Sequence, residues 1–219
     1  MAEDNTVWDV AAGLLPDGRA FVAGAGHGRG FPVYRWDAAT GEPLGAQLIG
    51  HRTCVMAVTA IALPDGTALI ASGDEAGVIL RWDALSGEPF GTPIKGPGEY
   101  SMQLVSLALP DGRVMLAGLD RTGTLSRWDA VTGEPIGPLL RPGPETTLSC
   151  ATAARCGLLF TAPYDGPVRV WDAVSGEVLG APVPGAGPAA LSVFDGSVWL
   201  ATRSGEAEMT VRRLSEPPF

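Results

Sequence analysis

The sequence predicts an all-β chain of about five consecutive small sheets, most of them with four antiparallel strands. Three observations predict it. An eleven-residue motif returns almost letter for letter: RWDAATGEPLG from Arg35, RWDALSGEPFG from Arg81, RWDAVTGEPIG from Arg127 and VWDAVSGEVLG from Val170. A Leu-Pro-Asp-Gly marker keeps the same beat. Between these markers lie short apolar runs bounded by Gly, Pro, Asp and Ser turn clusters, without helical periodicity.

The motif fixes the units. Trp36, Trp82, Trp128 and Trp171, each followed by Asp37, Asp83, Asp129 and Asp172, are separated by 46, 46 and 43 residues. The second marker occurs at Leu15–Gly18, Leu63–Gly66 and Leu109–Gly112, with weaker echoes at Arg155–Gly157 and Phe194–Gly196. The last echo implies a fifth unit. In it Val211-Arg212-Arg213-Leu214 takes the place of Leu80-Arg81-Trp82-Asp83, so Arg213 replaces the tryptophan. Trp8-Asp9 imitates the motif, but its distance from Pro16 aligns Trp8 with Met56, and Trp8 is read as a core residue of a first strand. The units span roughly 5–50, 51–97, 98–143, 144–186 and 187–219 of one domain, 1–219.

Within the second unit, Val55–Leu63 reads as a strand and Pro64-Asp65-Gly66 as a tight turn. Ala68–Ser72 is a second strand, Gly73–Gly77 a turn and Val78–Trp82 a third strand. Ser86–Pro89 turns again before a short outer strand over Phe90–Ile94. Four-stranded units repeating every ~45 residues mean blades of a β-propeller, since a lone blade cannot bury both faces but one stacked between two others can. Ala12, Ala60 and Ser106 form one column of the innermost strands. Leu14, Ala62 and Ala108 form another, small enough to crowd an axis. The expected ring has five blades. The last blade is three-stranded, or the ring is completed by another copy or segment.

Composition narrows the function. Hydrophobic residues make up 46% and charged residues 18%, which describes a globular chain. A net charge of -9 opposes sequence-independent binding to nucleic acid and docking on anionic lipid. Cys54, Cys150 and Cys156 match no zinc or redox spacing and read as buried, reduced thiols. The acidic start Met1–Asn5 is not a signal peptide, and no apolar run is long enough to span a membrane. A reducing cytoplasm fits these features.

The Trp-Asp endings, the period and Gly50-His51 ahead of the second unit resemble the WD-repeat family. The Trp-Asp-Ala-x-Thr/Ser-Gly-Glu-Pro style is similar to its bacterial members. The resemblance spans about residues 5–214 and implies a propeller of protein-binding type. It also implies a network of His, Ser/Thr, Trp and a turn Asp in each blade. The second unit has the Gly-His but Ala76 at the expected Asp position. The third has Thr122 there, and the fourth has Asp165-Gly166 without a histidine. No complete network is therefore expected.

The sequence offers little for catalysis. His51 reads as structural, and His27 lies in a glycine-rich loop, Gly26–Phe31, without the strand–helix context of a phosphate site. Two histidines without Cys-x-x-Cys exclude an evident metal site, and neither histidine has a visible partner for a serine triad. The carboxylates of Pro-Asp-Gly and Gly-Glu-Pro repeat as turn formers do. The residues that break the repeat are His27, Arg29, Phe31, Arg52, Asp74, Glu75, Tyr100, Asp120, Arg121 and Tyr164. They fall in loops that share one face and are candidates for contact with a protein partner or another copy. The expected function is a non-catalytic interaction scaffold without cofactor. The alternative is a carbohydrate-active hydrolase or lyase with a site at the central channel.

Overall fold

The computed structural model describes residues 6–96, 98, 101–142, 146–150, 157–163, 166–184, 186–194, 197–203 and 209–214. Among them no helix forms, and the strands assemble into five antiparallel sheets, each from one consecutive stretch of chain. The first sheet holds β1 (Thr6–Leu14), β2 (Ala20–His27) and β3 (Val33–Asp37). The second holds β4 (Val55–Ala62), β5 (Ala68–Asp74), β6 (Val78–Asp83) and β7 (Ile94–Lys95). The third is β8 (Ser101–Ala108), β9 (Val114–Asp120) and β10 (Leu125–Asp129). The fourth contains β11 (Thr146–Cys150), β12 (Leu158–Pro163), β13 (Val168–Asp172) and β14 (Val178–Val183). The fifth contains β15 (Ala186–Phe194), β16 (Ser197–Arg203) and β17 (Met209–Leu214). Strands pair in chain order in every sheet.

Local chemistry explains the turns. Asp17 Oδ1 accepts the Arg19 amide, and Asp65 and Asp111 do the same for Thr67 and Arg113. The motif aspartates cap the next turn. Asp83 Oδ1 accepts the amides of Leu85 and Ser86, and Asp37, Asp129 and Asp172 repeat the arrangement. An aspartate two or three residues before an exposed amide is the side chain that makes such a turn cheaply.

The outer strands are shorter than the sequence predicts. Among the described residues only the second and fourth sheets have a fourth strand, and β7 covers Ile94–Lys95 where Phe90–Ile94 was expected. In the first three units the residue opposite the motif tryptophan is a proline (Pro43, Pro89, Pro135), which forms only an isolated bridge. Proline has no amide hydrogen to continue a ladder. The fourth unit has Val178 there, paired with Trp171 inside the six-residue β14. The second turn of unit two also starts later than expected, because β5 runs on to Asp74.

Successive sheets stack. β1 packs on β4, β4 on β8, β8 on β11 and β11 on β15. Two polar links tie these innermost strands: Asp9 Oδ2 accepts the Val58 amide at 2.9 Å, and Ser106 Oγ donates to the Ala60 carbonyl at 2.6 Å. The core is a series of layers between neighbouring sheets. Phe21, Ala23 and Val33 on the forward face of the first sheet meet Val58, Ile70 and Trp82 on the rear face of the second. Ile61, Leu69 and Ile79 then meet Leu104, Leu116 and Trp128. Met115, Ala117 and Leu125 meet Leu159 and Trp171, and Phe160, Val168 and Val170 meet Leu200. Each buried indole removes about 150–250 Å² from water.

Two sequence expectations change here. Trp8 lies in the first strand as expected, yet it falls in a bulge of β1 and is 55% exposed rather than a core residue. In the fifth unit Arg212, not Arg213, occupies the tryptophan slot. Arg212 pairs with Leu200 as Trp171 pairs with Leu159, and Leu200 fills the rear-face core position of Leu159. The short Phe194-Asp195-Gly196 echo misplaced the register by one.

Candidate functional site

The two ends of the stacked sheets differ in chemistry. The first strand of each sheet begins beside the end of the second, as in the pairs Val55–Asp74 and Ser101–Asp120. That end carries the loops before each first strand and the turns between second and third strands. Exposed Arg29, Arg52, Lys95, Arg121 and Arg141 all lie there. At the opposite end are the Pro-Asp-Gly and Trp-Asp turns with Asp17, Asp65, Asp111, Glu42, Glu88, Glu134 and Glu177. Among the described exposed arginines of that end, Arg19 and Arg113 bond Asp17 and Asp111 at 2.8 Å, and Arg213 stands near the end of β17. Among the described residues the repeated acidic turns thus lie at one end, and most of the exposed, unrepeated cations lie at the other, beside the half-buried Glu75 and Asp120.

Beneath the cationic end lies a buried hydrogen-bonded chain. Trp82 Nε1 donates to Ser72 Oγ at 2.9 Å, and His51 Nε2 lies 2.8 Å from the same oxygen. His51 Nδ1 lies 2.9 Å from Asp74 Oδ2, while Asp74 Oδ1 accepts the amides of Ala76 and Val78. One assignment satisfies every group: His51 donates from Nδ1 to the carboxylate and accepts the Ser72 hydroxyl at Nε2. The second unit therefore holds the complete network that the sequence reading denied it, because the turn aspartate is Asp74 rather than the residue at Ala76. The same geometry corrects the expectation that neither histidine has a triad partner. Asp74–His51–Ser72 has the connectivity of a hydrolytic triad, but Ser72 is fully buried and its oxygen already takes the Trp82 N–H. No substrate can reach it. The fourth unit keeps half of the network, with Trp171 Nε1 donating to Thr161 Oγ1 at 2.8 Å. In the first and third units the slot is glycine, and the tryptophan ring would lie 3.0 Å from a Cβ added at Gly24 or Gly118.

The candidate contact residues divide accordingly. Asp74 is 2% exposed and spent on the network, so it is no contact residue. Arg29, Arg52 and Arg121 are exposed at the cationic end, and Glu75 and Asp120 are half-buried beside them. Asp120 Oδ1 caps its own turn through the amides of Thr122 and Thr124. Phe31 adopts φ 52° and packs partly on the first core layer. His27 ends β2 rather than lying in a loop, and its side chain falls outside the description. Tyr100 and Tyr164 lie outside the described residues, as do Asp165 and Cys156 and the side chain of Cys150. Cys54 is buried.

Sequence reasoning missed the motif arginines. Arg35 Nη1 donates to the carbonyls of Ala84 and Leu85 in the following unit at 2.8 and 3.1 Å. Arg81 does the same to Ala130 and Val131, and Arg127 to Ala173 and Val174. Each guanidinium is buried against a glycine of that next turn. A Cβ on Gly87, Gly133 or Gly176 would lie 2.5, 3.1 or 2.8 Å from the arginine Nη2. Burial pulls the three guanidinium values below the ordinary one, while the next unit's Asp83, Asp129 or Asp172 opposes the shift. The signal was present in the sequence: a cation recurring in the middle of an apolar strand, and Val170 replacing it in the last full motif.

Between the innermost strands a cavity of about 220 Å³ is lined by Ala12, Leu14, Ala60, Ala62, Ser106 and Ala108 together with Gly13, Phe21, Ile61, Leu107 and Val114. Both small-residue columns of the sequence converge on it. The lining is apolar apart from Ser106, whose hydroxyl is already bonded to the Ala60 carbonyl. Among the described residues no cluster of His, Cys, Asp and Glu could hold a metal ion, and no helix is long and apolar enough to cross a membrane.

Many solved structures resemble the chain. The solved crystal structure of the computationally designed Ika4 protein is similar to this chain, with a TM-score of 0.56 and 22% identity. The match covers 78% of this chain and 99% of that one. At that identity the likeness bears on fold alone. No family model matches the chain, and no curated protein matches it.

Proposed function

We propose that the chain is a non-catalytic binding scaffold whose five sheets are propeller blades of WD-repeat type, and that its cationic end receives an acidic segment of a protein partner. The observation that carries the reading is the segregation of charge. In a chain of net charge -9, Arg29, Arg52, Arg121 and Arg141 gather at one end in segments that break the repeat, with Lys95 beside them at the end of β7. Repeated residues build turns, whereas exposed arginines that break the repeat present charge to solvent, and complementary potential steers and orients a partner. The Asp74–His51–Ser72–Trp82 chain supports this use by fixing the loop that presents Arg52. A carbohydrate-active site in the inner cavity gains no support, since the described lining offers no carboxylate pair for acid–base chemistry.

Fluorescence anisotropy of a labelled oligoglutamate peptide tests the proposal. Binding should be saturable and salt-sensitive. It should weaken at least about tenfold in Arg29→Glu/Arg52→Glu, a loss of about 1.4 kcal/mol. Arg19→Glu/Arg113→Glu, at the acidic end, should leave it unchanged. Equal losses from both pairs would reduce the effect to net charge and defeat the reading, as would tighter binding of an oligothymidylate of equal charge.

A further inference from the structure

The core layers share one plan: the forward face of one sheet covers the rear face of the next. Among the described residues, nothing covers the rear face of the first sheet. Val10 is 62% exposed, whereas its counterparts Val58 and Leu104 are 3% and 6% exposed. Trp36 and Val22 are half-buried and Ala38 is exposed, while Trp82, Ile70 and Ala84 at the same positions of the second sheet are buried. The fifth sheet has the opposite defect. Met209 and Val211 on its forward face are 73% and 58% exposed, and their counterparts Val168 and Val170 in the fourth sheet are 0% and 7% exposed. On the same face the Trp199 indole N–H is buried without an acceptor.

We infer that two copies of this chain associate head to tail, the rear face of the first sheet of one copy seating on the forward face of the fifth sheet of the other. The layers inside the chain show what covers each face. Trp82, Trp128 and Trp171 are each buried against a preceding forward face of small and branched apolar residues, and Trp36 lacks only that face. The fifth sheet offers it, with Val211 where Val170 covers the Leu200 layer. The contact needs no arginine clamp, because the Arg35, Arg81 and Arg127 position is already valine in the fourth and fifth units. Among the described residues both faces stay open together within one chain, and a second chain brings the two halves into contact with the internal layers intact. Such a contact is heterologous, each copy giving a different surface. It is independent of the cationic end, so either reading can fail without the other.

Sedimentation velocity at two concentrations about tenfold apart tests it. The wild type should sediment as two or more copies at the higher concentration. Val10→Asp and Val211→Asp, both at exposed positions, should each be monomeric with an unchanged circular dichroism spectrum. Mixed in equal amounts, they should form a one-to-one complex, because each variant keeps the half the other has lost. A monomeric wild type would overturn the inference. So would variants that fail to complement, or wild-type association that neither substitution disturbs.

Discussion

Asp74 shows how much one side chain sets locally. Burial opposes its ionisation, but the His51 ring and the amides of Val78 and Ala76 outweigh that and hold the carboxyl below its ordinary value. An acid depressed in the folded state stabilises fully above its unfolded value, near ~3.9, and loses that contribution as pH falls through the folded value. Asp74→Asn should therefore be less stable than wild type by about 1–3 kcal/mol at pH 7. In urea denaturation the gap should close as pH drops below about 4. A gap that stays constant down to pH 3 would assign the loss to shape rather than charge. The sequence announced His51 through Gly50-His51 but hid its partner, since extending β5 by two residues changes which turn residue points inward. Asp9 was hidden for a related reason. Its carboxylate reaches the Val58 amide of another sheet, a contact without local signature.

Between elements, the arginine clamp turns a repeated motif into a repeated interface. Each guanidinium crosses from one sheet to the carbonyls of the next turn. Charge-assisted bonds of this kind are worth about 1.5–3 kcal/mol. Gly41 and Gly87 occupy the same turn in the first and second units, with φ of 74° and 83°. An added Cβ meets nothing within 4 Å at Gly41 but lies 2.5 Å from Arg35 Nη2 at Gly87. Gly41→Ala should then cost only backbone strain, about 1–2 kcal/mol. Gly87→Ala should cost about 1.5–3 kcal/mol more, because it displaces the guanidinium from Ala84 and Leu85. Equal melting temperatures for the two variants would show that the clamp contributes nothing. The outer strands follow the same logic of one residue type acting through geometry: proline opposite the tryptophan limits pairing to a bridge, and Val178 restores a strand.

Across the whole molecule stability is a sum of sheets and the layers between them. Amide hydrogen exchange should be slowest in β5 and β9, which lie in sheets covered on both sides, and faster in β1, whose rear face is open. Raising the protein concentration should slow exchange in β1 and β17 while leaving β9 unchanged. Uniform slowing, or none, would contradict the head-to-tail contact. The sequence by itself determined the number of sheets, their antiparallel order, the capped turns and the small-residue columns. All of these follow from short-range rules: a strand's two-residue period, the hydrogen-bonding reach of aspartate and the backbone limits of proline and glycine. Only the tertiary structure decided which aspartate meets His51, where each arginine ends, which residue fills the last tryptophan slot and which two faces stay open. Those depend on register and on what stands behind each sheet, and a difference of one residue along a strand exchanges a buried face for an exposed one.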